Sequence, residues 1–256
     1  MTHSKSPSAF ILFLVIMTAG LLCSACSSSG TAVTETMEKD AGFGFETLKG
    51  NTVVIFGATA RAGTLMGEDR LELGNAMADR LQKSLPTDAR ITCMPPEIIF
   101  AKMGAEPYEA FMMRCDSDGM LTAEDLKRLT DLAPGGRFVL LMDLLTDERS
   151  NSTSTSWISD EQSRHYETVF EEERFVRVDF QLYHAAAKKM VWHSLIVDRK
   201  VDSEPVNSGD SFVEVLFTEI IYAIFGSPAD VDLDDVFTGI VEHCAEDLRN
   251  VSAETP

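Results

Sequence analysis

Arg174-Phe-Val-Arg-Val-Asp-Phe-Gln-Leu-Tyr-His184 alternates cleanly: Val176, Val178, Phe180 and Leu182 fall on one side, and Arg177, Asp179, Gln181 and Tyr183 on the other. A period of two sends successive side chains to opposite faces of a pleated strand, so this stretch reads as a half-buried antiparallel strand. Ala185–Lys188 is a tight connection, and Lys189–Val197 returns as the hairpin partner. Phe180 and Trp192 are expected in the core, on opposite faces of the sheet, with neither forming a ligand cage.

Upstream, Asn51-Thr-Val-Val-Ile-Phe56 is a continuous apolar run of the kind that fills a buried central strand, with Gly57 at its end. After a glycine-containing loop, Leu71, Gly74, Ala78, Leu81 and Leu85 recur at helical spacing until Pro86 stops them. Ala89–Cys93 predicts a short strand, and Glu97–Met103 and Tyr108–Arg114 predict short helices. Thr122 and Asp125 stand at the two positions of a capping box, and Leu121 can pack onto Leu126, so a helix is expected from there to about Ala133. Arg137–Met142 is a second apolar strand, which Asp143–Thr146 can extend, and Asn151–Ser163 reads as a Ser/Thr-rich loop holding Trp157. Ser211 and Glu214 form another capping box, opening the almost wholly apolar segment Phe212–Phe225, expected to be a buried helix stopped by Gly226 and Pro228. The remainder is acidic and helical from Asp235 to Leu248, with an untied end. Helices and strands in this order predict one α/β domain with a mixed sheet that includes a hairpin in its C-terminal half, flanked by helices.

The amino terminus sets the address. Lys5 precedes the apolar run Phe10–Met17, and the run is broken at Thr18, Ala19 and Gly20, too short for a spanning helix of ~20 apolar residues. Small residues Ser24 and Ala25 lead to Cys26. The pattern resembles the bacterial lipoprotein signal, although Cys23 stands where Leu is usual. That resemblance implies removal of residues 1–25, acylation of Cys26 with a diacylglyceryl group and a further acyl chain, and stable anchoring in a lipid bilayer, since more than one chain is needed for it. Ordinary cleavage after Ala25, leaving Cys26 a free thiol, is the alternative. By the sorting preference of such lipoproteins, Ser27 after the cysteine implies the outer membrane, with the domain facing the periplasm. Residues 26–46 then form a flexible tether, 47–226 the α/β domain, and 227–256 an acidic, helical tail.

The 256 residues carry a formal net charge of −19, from 41 Asp and Glu against 22 Lys and Arg. Such a surface repels nucleic acid, because phosphate binding depends on cationic side chains that release counterions. It also argues against attachment to anionic lipid by charge alone. Behind Cys26 lie Cys93, Cys115 and Cys244, which allow at most one disulfide among them. Cys93–Cys115 is the favoured pair, and buried unpaired thiols are the competing reading.

No reactive constellation is assembled by the sequence. Gly57-Ala-Thr-Ala60-Arg-Ala-Gly63 resembles a dinucleotide fingerprint, but Ala60 replaces the glycine where backbone must meet phosphate, and no acid ends the next strand. Asp116-Ser-Asp118-Gly119 imitates a calcium loop with Arg114 where the first ligand should be. Ser211 is better used as a helix cap than as a nucleophile, and His165, His184, His193 and His243 lack metal-ligand spacing. Glu171–Glu173 and the acids from Asp230 to Asp235 read as solvated faces. No catalytic residue, cofactor site or metal site is therefore expected.

Thr52-Val-Val-Ile-Phe-Gly57 followed by Leu73-Gly-Asn-Ala-Met-Ala-Asp79-Arg-Leu81 resembles the opening of the TolB amino-terminal-like domain, which also occurs in the curli-secretion lipoprotein CsgG and the penicillin-binding-protein activator LpoB. Gly136-Arg-Phe-Val-Leu-Leu141, Val176–Tyr183 and Val191-Trp192-His-Ser194 are similar to the later strands of that family. The resemblance spans about residues 48–225. It implies a protein without catalysis that binds another envelope protein or helps to assemble an envelope complex. The alternative is a subunit of an oligomeric secretion channel of the CsgG type; the oligomeric state and the partner stay open.

Overall fold

The computed structural model describes residues 32–60, 68–159 and 164–252. The expected leader and Cys26 lie outside the described residues, as does Gly63. The elements run β1 (Val33–Lys39), β2 (Thr52–Ala60), α1 (Glu68–Ser84), β3 (Thr92–Met94), α2 (Pro96–Met103), α3 (Ala105–Asp118), α4 (Ala123–Leu132), β4 (Gly136–Ser159), β5 (Arg164–His184), β6 (Lys189–Gly209), α5 (Phe212–Phe225) and α6 (Leu233–Asn250). One six-stranded sheet has the order β1-β6-β5-β4-β2-β3. Strand β2 is parallel to both β3 and β4, and β1 is antiparallel to β6. Four-residue connections join β4 to β5 and β5 to β6, a length that permits only antiparallel pairing of neighbours. The class is therefore the predicted one, an α/β fold with a mixed sheet flanked by helices.

Two stretches expected to be irregular are strands. The tether assigned to residues 26–46 includes β1, which pairs with β6 from Val33↔Val197 to Lys39↔Trp192, with a bulge between Thr34 and Thr36. Most of its side chains are exposed. Main-chain hydrogen bonds to an edge can hold such a strand without an apolar face to announce it. Likewise the Ser/Thr-rich segment after Asn151 continues β4 as far as Ser159.

The chain divides into two compact units. The larger is formed by Gly30–Arg149, Arg174–Arg199 and Asp232–Pro256, the smaller by Ser150–Glu173 and Lys200–Val231. In the larger unit, Val54, Phe56, Val139, Leu141 and Tyr183 pack against Ile99 of α2, Phe111, Met112 and Cys115 of α3, and Leu126 and Leu129 of α4. The opposite face is covered by α1 and by α6, which buries Val236, Phe237, Ile240, Val241, Cys244, Ala245 and Leu248. The helical part of the expected acidic tail is thus a packed layer of the fold.

Phe180 and Trp192 are both fully buried, but they share a face. His193 Nε2 lies 2.6 Å from Asp179 Oδ1, so these two residues occupy the α3–α4 side and their neighbours Trp192 and Phe180 the other. Ser194, in step with Trp192, accordingly reaches Asp247 of α6 at 2.7 Å. The cause of the difference is in the turn: Lys188 adopts φ +53°, the left-handed residue of a bulged hairpin loop. An offset of one residue in register exchanges the faces of a whole strand. Truncating a buried aromatic costs ~3–5 kcal/mol. Trp192→Ala is therefore expected to lower the melting temperature by calorimetry; an unchanged transition would mean that β6 is not part of the core.

Candidate binding surface

The polar groups singled out in the sequence are mostly consumed by the fold. Asp116 accepts two hydrogen bonds from the buried Arg70, at 2.9 and 2.6 Å, and one from the backbone N–H of Ala60. Asp118 ends α3, and Gly119, at φ +65°, caps it, so the calcium-loop look-alike is a helix terminus. Thr122 and Asp125 form the expected capping box, as do Ser211 and Glu214. Gly57 sits inside β2, which continues to Ala60, so the strand does not turn there into a phosphate-binding helix. His184 Nδ1 accepts from the Ala187 N–H within the hairpin turn.

One constellation that sequence reasoning missed joins β1, β6 and α6. Thr34 Oγ1 lies 2.9 Å from His243 Nε2 and donates to Asp247 Oδ2 at 2.6 Å, and Ser194 Oγ donates to the same oxygen at 2.7 Å. It has the residue types of a hydrolase triad. However, the Thr34 proton is directed to the carboxylate and the imidazole can only donate to that hydroxyl, which leaves no base aimed at a nucleophile. The charge-assisted bonds fasten the edge strand instead. Nothing in the spacing of residues 34, 194, 243 and 247 could have revealed it, since they meet only through the sheet.

Two clefts in the larger unit carry cations. Between α3 and α4, Arg114 and Arg128 lie over the Phe111 ring at 4.8 and 5.7 Å, but Arg114 is held by Asp118 and Asp125, and Lys127 by Asp131. Beside the β5–β6 turn, Arg137 lies over Phe138, and Lys189 pairs with Asp40.

The dominant surface feature belongs to the smaller unit and overturns the expectation that Phe212–Phe225 is buried. Helix α5 turns one side inward: Val215 is 2% exposed, Tyr222 packs on Phe170 with ring centroids 4.7 Å apart, and Glu219 accepts a hydrogen bond from Thr155 at 3.2 Å. The rest faces outward. Phe212, Val213, Leu216, Phe217, Ile220, Ile221 and Ile224 are between 43% and 69% exposed. Contiguous exposed apolar surface of this kind marks a site of interaction on soluble domains. The two acids of the helix are tied down, Glu219 by Thr155 and Glu214 by the backbone N–H groups of Asp210 and Ser211, so the exposed stripe from Leu216 to Ile224 is built of apolar side chains. No Lys or Arg occurs between Lys200 and Arg249.

All three described cysteines are free and buried, which corrects the expected Cys93–Cys115 pairing. Cys93 pairs in register with Val53, while Cys115 packs with Val54, the next residue along the strand. Successive strand residues face opposite ways, so the two thiols are separated by the sheet. Desolvation by burial pushes the thiols of Cys93 and Cys115 up to about 12, and that of Cys244 well above its ordinary 9.0.

No protein-family model matches the chain, and no curated protein matches it. Several solved structures resemble it at low identity. A PelC dodecamer from Paraburkholderia phytofirmans is 12% identical with a TM-score of 0.38, covering 87% of this chain and 99% of that one. Lipoprotein GNA1162 from Neisseria meningitidis is 12% identical with a TM-score of 0.31, covering 69% of this chain and 99% of that one. The hypothetical protein CT253 from Chlamydia trachomatis is 11% identical with a TM-score of 0.31, covering 77% and 93%. The neighbours thus include one described as a lipoprotein, at a distance where the likeness carries no functional argument.

The thiols give a direct check. A raised pKa in the fold means that stability is intact below the ordinary value of 9.0 and falls as pH rises towards about 12, because the unfolded chain ionises first. Denaturant titrations from pH 8 upwards, an interval of about four units, should therefore show falling stability that weakens in a Cys93→Ala, Cys115→Ala variant. By peptide mapping, maleimide should not label Cys93, Cys115 or Cys244 in the native protein at neutral pH and should label all three on unfolding. Rapid native labelling would contradict the burial.

Proposed function

We propose that this chain is a lipid-anchored, non-enzymatic protein of the cell envelope. It is acylated at Cys26, held in the outer membrane facing the periplasm, and works by binding an envelope partner or helping to assemble an envelope complex. The reading places it near the TolB amino-terminal-like domains of the CsgG and LpoB kind, which the order of strands and helices supports. The observation that carries it is the position of β1, which begins at Val33 and is already locked to β6 there. Counting from Cys26, the tether is then seven residues and not twenty, a reach of about 25 Å when fully extended. A domain held that short works at the membrane surface. Among the described residues, no helix is long and apolar enough to cross a membrane.

A second reading, the channel subunit, draws support from the length of β4, β5 and β6, which run to 24, 21 and 21 residues. A membrane-spanning strand needs ~10 residues with alternate apolar positions, and Ser150–Ser156 offers none.

Intact mass of the protein extracted from membranes tests the anchor. A mature chain beginning at Cys26 with acyl mass is expected; an unacylated chain, or one retaining its leader, would refute it. Cross-linking in native envelopes should capture a protein partner, and reconstituted vesicles should retain a trapped dye. Dye release by a ring of many subunits would promote the channel.

A further inference from the structure

We propose that the exposed face of α5 lies in the surface of the lipid bilayer, as a second, non-covalent attachment beside the acylated cysteine. The inference rests on the anchored reading above, which brings the bilayer within about 25 Å of β1. At that range the membrane is present at high effective concentration throughout the protein's life, so an apolar face meets lipid before any dilute partner.

The geometry of the helix fits this occupant. Its 14 residues make a rod of about 21 Å, too short to cross a hydrocarbon core of ~30 Å but suited to lying along its edge. Leu216, Phe217, Ile220 and Ile224 form the outward stripe, and the inward side is committed to Phe170 and Thr155. Peripheral helices that depend on anionic lipid carry Lys and Arg along the polar flank. This one has none, and the chain has a net charge of −19, so the lipid it suits is zwitterionic and the attraction is apolar. The same charge disfavours a second copy, since two chains of like sign would be brought together.

The test uses the full-length acylated protein in phosphatidylcholine vesicles in which some lipids carry a diazirine on the acyl chain. After illumination, peptide mapping by mass spectrometry should find the label in residues 212–225. A Phe217→Ser, Ile220→Ser, Ile224→Ser variant, altered only at exposed positions, should keep its melting temperature and its flotation with vesicles, yet lose label at α5 by roughly tenfold or more. Replacing part of the lipid with phosphatidylglycerol should lower the label at low salt. Absence of label in 212–225 while the protein floats with vesicles would overturn the proposal. So would protection of α5 in a self-assembled particle seen by light scattering, or its cross-linking to a protein in place of lipid. Failure of acylation is read separately, from the intact mass.

Discussion

The larger unit depends on how closely three layers approach at Gly57. This residue has φ +146°, and a Cβ there would lie 2.5 Å from the Tyr108 hydroxyl and 3.0 Å from Met112 Cε. From the other side, a Cβ on Gly74 of α1 would come within 3.1 Å of the Gly57 Cα and 2.8 Å of Pro96 Cγ. Two glycines without side chains thus let α1 and α3 close on β2 from both faces. The pairing of β2 with β4 shifts register between Ile55 and Gly57, which is how the strand passes the pinch and continues to Ala60. The Tyr108 hydroxyl then donates to the Phe56 carbonyl at 3.0 Å, so the close approach is also hydrogen-bonded. In the sequence, Gly57 reads as the end of a strand. Its role inside one depends on atoms of α1 and α3 that are distant along the chain.

The same boundary between local and non-local information separates what could be read in advance from what could not. Both capping boxes, at Thr122–Asp125 and Ser211–Glu214, were legible because donor and acceptor are three residues apart. The hairpin of β5 and β6 was legible from its alternation, but its faces were not. They hang on the left-handed conformation of Lys188, which a lysine rarely adopts and which composition does not signal. Strand β1 and the outer part of β4 were missed because their side chains are exposed on most sides. What defines them is the ladder of main-chain bonds to a partner elsewhere in the chain.

Helices α5 and α6 show how composition misleads when it is averaged. The stretch opening with Asp230 is rich in acids and reads as a solvated tail, yet Val236, Ile240, Cys244 and Leu248 recur every four residues and fill the core. Most of its carboxylates ride on the outer side of an amphipathic helix, with Asp247 turning inward to Thr34 and Ser194. In α5 the apolar residues encircle the helix, a pattern that in a globular domain means burial on all sides. Among the described residues the sheet of the smaller unit covers one side of it, through Phe170 and Thr155, and the remaining circumference is left outward. The candidate surface was therefore visible as a sequence segment but not as a surface.

The edge strand β1 is where the proposed anchor would enter the fold. With few buried side chains of its own, it is held by six register pairs with β6 and by the hydroxyl of Thr34, which donates to Asp247 of α6 beside Ser194 from β6. A carboxylate accepting two hydroxyl protons makes stronger bonds than a neutral acceptor would, and the cluster ties three elements at one point. On the anchored reading proposed above, force arriving at residue 32 and directed along β1 would load the ladder in shear, so that the bonds resist together and not one after another. Thr34 is the second residue of the strand, so the clasp stands where that load enters. A polar cluster with the residue types of a catalytic site is thereby accounted for as the clasp of an edge strand.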